Sequence, residues 1–171
     1  MIELVKNKKI KSKKIKMIND NKILCRYSPL NDNIIYSSGF LNKLNKVEQS
    51  FLLYHEIGHK KDRFFYLILY ILLLSSISLF LFRLIFYHKE ILYLFISFII
   101  MTITILISVF TYRFLEYRAD KYAIKFIHPN FMISVFSKFK SEKYTLFTKI
   151  YAILTHPPPS KRIQRAKKKY F

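Results

Sequence analysis

The 171-residue chain has one cysteine, two glycines, five prolines and only ten acidic residues against thirty basic ones. A single Cys25 excludes an intramolecular disulfide framework and any cysteine-type zinc site. Scarce glycine and proline exclude collagen-like and low-complexity chains, and an aromatic content of 18% argues against a disordered basic tail. The shortage of acids leaves a formal charge of +20, part of which follows from a general richness in Lys, Ile, Asn, Phe and Tyr. Yet 52% of the residues are apolar. Charge and apolar surface must be segregated, and the length suits one domain.

Residues 64–82 form a run of 19 without a formal charge, and residues 91–112 a second run of 22. A helix rises about 1.5 Å per residue, so a hydrocarbon core of about 30 Å takes about 20 residues. Two spans, at about 64–87 and 91–112, are therefore expected. The alternative, a soluble hairpin of two all-round apolar helices, would need more protein than this chain has to cover them. The link between the runs is short, so both flanks lie on one side of the membrane. Residues 1–63 carry fourteen Lys or Arg, residues 113–171 carry fourteen, and the link has only Arg83 and Lys89. An excess of basic residues marks the cytoplasmic side. The expected location is the cell membrane, multi-pass, with both termini cytoplasmic. No apolar run lies near Met1, so the first span is expected to serve as the insertion signal.

Residues 1–21 read as a basic arm attracted to anionic lipid headgroups, with no nucleic-acid role expected. Residues 23–27 and 33–37 suit a strand pair separated by Ser28, Pro29, Asn31 and Asp32, with Gly39 ending it. Asn45 and Glu48 have capping-box spacing, so a helix is expected from about Lys46 through His59 towards the first span. A second helix is expected over residues 112–127, until His128-Pro129-Asn130 breaks it. One or two amphipathic helices follow over residues 131–154. The segment from Thr155 to Pro159 stops them, and Ser160 is placed to cap a last basic helix over residues 161–169.

His55-Glu56-Ile57-Gly58-His59 is the strongest local signal. Residues four apart share a helix face, so His55 and His59 can bind one Zn²⁺ while Glu56 faces the reacting water. A third ligand is required. His59 stands just before the first span and Glu116 just after the second, so the hairpin returns Glu116 to the histidines. Asp120, one turn on, is then placed to accept a hydrogen bond from a ligand histidine. The competing reading is of surface acids in i,i+4 pairs with Arg113, Arg118 or Lys121. Only ten acids exist in the chain, and Glu56, Glu116 and Asp120 are three of them. His88 and His128 fit no ligand spacing and read as structural. Tyr117 and Tyr122 read as interfacial anchors.

The order HExxH, two-span hairpin, Glu116-Tyr117-Arg118-Ala119-Asp120 and His156-Pro157-Pro158-Pro159-Ser160-Lys161-Arg162 resembles the HtpX and CaaX-prenyl-protease family of integral-membrane zinc peptidases. The resemblance runs over residues 22–163. It implies His55, His59 and Glu116 as ligands of one zinc per chain, Glu56 as general base, and His156 with Arg162 assisting, where they would donate hydrogen bonds to the tetrahedral oxyanion. It implies a substrate laid along a strand edge beside the metal. CaaX-type members have seven spans enclosing a chamber that two spans do not build, which disfavours prenyl-protein processing.

The expected architecture is mainly α: a two-span transmembrane helical hairpin with a small α(+β) gluzincin-like zinc-peptidase unit at the cytoplasmic interface, residues 22–171, behind the arm at 1–21. The expected function is a membrane-bound zinc metalloendopeptidase acting on unfolded or membrane proteins. Its partners are a protein or peptide substrate, the bilayer and a second copy or another membrane protein that shields the site. The rival is a catalytically silent membrane adaptor or lipid-binding protein that keeps the metal helix. The intact Glu56 argues against it.

Overall fold

A computed structural model describes residues 15–87, 90–140 and 146–170. His88 and most of the basic arm lie outside the described residues.

The polar half is built first. Strand β1 (Ile15–Ile18) pairs parallel with β3 (Asn33–Ser37), and β2 (Cys25–Ser28) pairs antiparallel with it, giving the order β1-β3-β2. The sequence places Ile15–Ile18 inside the solvated arm, and the structure adds them to the sheet. Their side chains are all exposed, so the backbone ladder rather than burial holds this strand, and no apolar pattern signals it. The turn between β2 and β3 needs one left-handed residue, Asp32 at φ 48°, a residue type that tolerates it. Ser37 ends the sheet and caps α1 (Ser38–Lys43) through its hydroxyl. Gly39 follows because a Cβ there would lie 2.4 Å from the carbonyl oxygen of Asn21.

Helix α2 (Lys46–Lys61) starts in a full capping box: the Asn45 side chain accepts from Val47 and Glu48 backbone N–H groups, and Glu48 accepts from Asn45 N–H. The helix runs from Lys46 through His59, as the sequence suggests, and ends at Lys61, where buried Asp62 forms the hinge to α3 (Arg63–Phe86). The carbonyl of Asp62 accepts from Phe65 N–H and its carboxylate holds Arg118 at 2.9 Å.

Helix α4 (Ile91–Ile124) is a single rod of 34 residues, about 50 Å long. It packs along α3 with Phe80 against Phe98 and Tyr66 against Tyr112, over buried Ser76, Ser97 and Ser108. Small hydroxyl residues let apolar helices approach closely. In the most apolar window of α3 only 17% of residues are buried, and in that of α4 only 11%. Both helices are long and apolar enough to cross a membrane, and they present Phe64, Ile71, Leu92 and Phe110 outward.

Three helices close the polar half. The break at His128-Pro129 leads to α5 (Asn130–Lys140), which buries Met132, Val135 and Phe136 in one core with Phe40, Phe51 and Leu52. Then come α6 (Leu146–Thr155) and α7 (Pro159–Tyr170). The last helix starts at Pro159, not after a Ser160 cap: proline's fixed φ suits the first helical position, which leaves Ser160 inside the first turn.

Candidate metal centre

The centre forms where α2 and α4 cross. On α2, His55, Gly58 and His59 share one face; on α4, Glu116, Ala119 and Asp120 share the face opposite. A Cβ on Gly58 would lie 2.8 Å from Ala119 Cα. The two backbones therefore meet at van der Waals distance, and that contact carries Glu116 and Asp120 to the histidines. A glycine inside a helix costs about 1 kcal/mol against alanine, so a central glycine between two histidines is itself a sequence signal for this approach.

The Nε2 atoms of His55 and His59 lie 3.0 Å apart, with the rings nearly perpendicular. Glu116 Oε2 lies 3.5 Å from His55 Nε2, and Oε1 lies 3.2 Å from His59 Nε2. All three residues are buried, and one ligand atom from each falls within 4.8 Å of the others. Tetrahedral zinc with bonds of about 2.0–2.1 Å separates its ligand atoms by about 3.3 Å, so the donor set fits such an ion in both chemistry and spacing. The rear nitrogens face oxygens: His55 Nδ1 lies 3.0 Å from Asp120 Oδ1 as an ion pair, and His59 Nδ1 is hydrogen-bonded to the Tyr66 hydroxyl at 2.7 Å. Both Nε2 atoms are thereby turned inward.

The electrostatics point the same way. Burial opposes a charge on His55, yet hydrogen bonds and charge from Asp120 and Glu116 outweigh it and carry its pKa up to about 10. A proton there stands in for the cation that two buried carboxylates attract. Burial pushes the Glu56 carboxyl above its usual range, against the pull of His59 and His55. That carboxylate accepts from Tyr27 N–H at 2.6 Å. Leu24 faces β3, accepting from Ser37 N–H; by antiparallel alternation Cys25 and Tyr27 direct their backbone groups to the open edge of β2. Glu56 therefore lies at a strand edge beside the histidines.

His156 and Arg162 arrive from the chain's last segment in different ways. His156, half exposed, brings Nε2 to 3.2 Å from Glu116 Oε1, and desolvation, opposed by Glu116, holds its pKa below the ordinary value. Arg162 is buried, with Nε and Nη2 on Asp120 and Nη1 3.0 Å from Glu116 Oε2. The sequence reading places Arg162 on the oxyanion; the structure places its guanidinium on the two carboxylates, where it offsets their buried charge. Tyr66 and Tyr27 N–H were not anticipated. Tyr66 sits seven residues beyond His59, across the Asp62 hinge, and no local spacing reveals it. Tyr117 lies beneath Arg165 and Tyr122 beneath Lys61, so both rings stack on cations.

Two helix-borne imidazoles, a carboxylate from a crossing helix and a second carboxylate beside the first imidazole are the working parts of a metallopeptidase. The chain belongs to peptidase family M48, whose family model matches residues 1–170. No curated protein and no solved structure matches the chain.

Proposed function

We propose that the chain is a membrane-bound zinc metalloendopeptidase of the HtpX-like kind, with α3 and α4 across the cell membrane, both termini cytoplasmic, and unfolded or membrane proteins as substrates. The observation that carries this reading is the joint position of Glu56: one residue from the His55, His59 and Glu116 cluster and hydrogen-bonded to the open edge of β2.

Zinc held by His55, His59 and Glu116 would polarise a water and the scissile carbonyl. Glu56 takes the proton from the attacking water at its carboxylate and delivers it to the leaving amine, and its burial strengthens it as a base. Backbone groups of Cys25 and the carbonyl of Tyr27, whose N–H is held by Glu56, pair with an extended substrate, a mode of recognition that reads main chain before side chains and suits unfolded segments. His156, at the mouth, donates from Nε2 to the oxyanion. Asp120 and Tyr66 orient the two imidazoles, and Arg162 is a positioning residue that holds Glu116 and Asp120.

The test is zinc per chain in detergent-purified protein and hydrolysis of an extended reporter peptide. About one zinc, weakened in Glu116→Ala, with hydrolysis lost on chelation and in Glu56→Gln, is the expected result. A folded chain that takes up no zinc after reconstitution would favour the adaptor.

A further inference from the structure

Behind the metal centre, α4 and α7 leave a cavity of about 240 Å³ whose walls include Phe114, Tyr117, Arg118 and Lys121 of α4 with Arg162 and Arg165 of α7. On α4 these positions are spaced i, i+3, i+4 and i+7, a single stripe. Its chemistry changes along the axis. Aromatic rings stand where the apolar run ends, and cations stand beyond them. At about 1.5 Å per residue, Phe114, Arg118 and Lys121 lie about 3, 9 and 13 Å past Tyr112, and the headgroup layer of a bilayer is about 5–7 Å deep on each face. Long cationic side chains reach back across that difference.

The cavity carries more positive charge than its own acids balance. Asp120, also in the wall, is taken up by Arg162. Arg118 holds Asp62 at 2.9 Å yet remains about half exposed, and its guanidinium lies over the rings of Phe65 and Phe114. Lys121 and Arg165 meet no carboxylate among the described residues, and Arg165 is held over the Tyr117 ring at 4.4 Å from its centroid. Two uncompensated cations converge on a concave site with an aromatic wall on the membrane side. That arrangement fits a ligand with an anionic head and an apolar continuation: the cations attract the head and the aromatic wall receives the apolar part.

We propose that this cavity binds the phosphate headgroup of one anionic phospholipid, with its acyl chains running from exposed Phe114 along the outer face of α3 and α4. The proposal rests on the reading that these helices cross a bilayer. Lys121 and Arg165 make the specific contacts with the phosphate, and the Phe65–Arg118–Phe114 stack lines the passage to the apolar phase.

The experiment uses the full chain in neutral detergent, titrated separately with short-chain phosphatidylglycerol, short-chain phosphatidylcholine and inorganic phosphate, with bound species counted by native mass spectrometry. One phosphatidylglycerol per chain is expected, weakened about tenfold or more in the Lys121→Gln/Arg165→Gln double variant and unchanged in Lys167→Gln/Lys168→Gln on the same helix. Equal retention in the Lys121/Arg165 variant, or equal binding of phosphatidylcholine, overturns the assignment. Inorganic phosphate binding as tightly as the lipid marks a free-anion site and overturns it as well. Alkaline extraction of membranes containing the chain separates the two readings. A chain that stays in the membrane but binds no phosphatidylglycerol loses only this proposal, whereas a chain that is extracted loses the membrane reading and this proposal with it.

Discussion

The two halves of α4 solve opposite problems on one continuous backbone. Over residues 91–112 the large side chains Ile91, Leu92, Phe95 and Phe110 turn outward, while Ser97 and Ser108 are buried against α3. Their hydroxyls return to carbonyls of their own helix, at Leu94 and Thr104. Over residues 115–124 the order reverses: Leu115, Ala119 and Ala123 are buried, and so are the carboxylates Glu116 and Asp120. The apolar half needs only length and hydropathy, because each polar group satisfies itself within the helix. The charged half is viable only if every partner is in place, because removing one partner of a buried ion pair leaves an uncompensated charge. Substitutions in the first half should therefore be nearly silent, and those in the second should propagate.

The sharpest contrast is expected at Glu56. Glu56→Gln should lower hydrolysis of an extended peptide by about 10²–10⁴-fold while leaving metal content near that of the unmodified chain; comparable activity in the variant would remove Glu56 from the chemistry. Next come the residues behind the imidazoles. Asp120→Asn and Tyr66→Phe should each weaken metal retention by about 10–100-fold in a chelator competition, with Asp120 the larger because it also anchors Arg162.

Two stability effects follow. Gly58→Ala should destabilise by about 1–3 kcal/mol in a denaturant titration, since the added methyl meets the Ala119 backbone. Glu48→Gln should cost about 1–3 kcal/mol near neutral pH, because this buried carboxylate accepts from Lys138 at 2.6 Å, Ser134 and Asn45 N–H. Burial raises the pKa of Glu48, but those bonds outweigh it and leave it below the ordinary value. The unfolded chain therefore binds the proton more readily. The stabilisation is full above the ordinary glutamate pKa and is lost as pH falls through the folded one, so the gap between Glu48→Gln and the unmodified chain should close in acid. Smallest of all, Ser97→Ala in the apolar half should stay within about 0.5 kcal/mol.

Legibility in the sequence follows the same division. The two apolar runs, the capping box at Asn45 and Glu48, and the break at His128-Pro129 rest on neighbours a few residues apart, and each lies where the sequence places it. The juxtaposition of His55 and His59 with Glu116 was also legible, because a short hairpin returns the chain to its starting boundary. The strand at Ile15–Ile18 was not, since its side chains bury nothing and its stabilisation is a ladder to residues some twenty positions away. Nor was the pairing at the hinge after α2, where Asp62 bonds Arg118, a partner on another element.

The helical hairpin, the spacing of the metal-binding side chains and the carboxylate beside the first of them follow from residue order alone, because helix periodicity and hydropathy act within a few turns. The grip of Arg162 on Asp120 and Glu116, the Tyr66 hydroxyl behind His59, and the meeting of Glu56 with the edge of β2 at Tyr27 come from packing between elements. Those contacts join separate elements. They depend on how closely Gly58 lets two backbones approach, a distance that the spacing of residues along one chain does not encode.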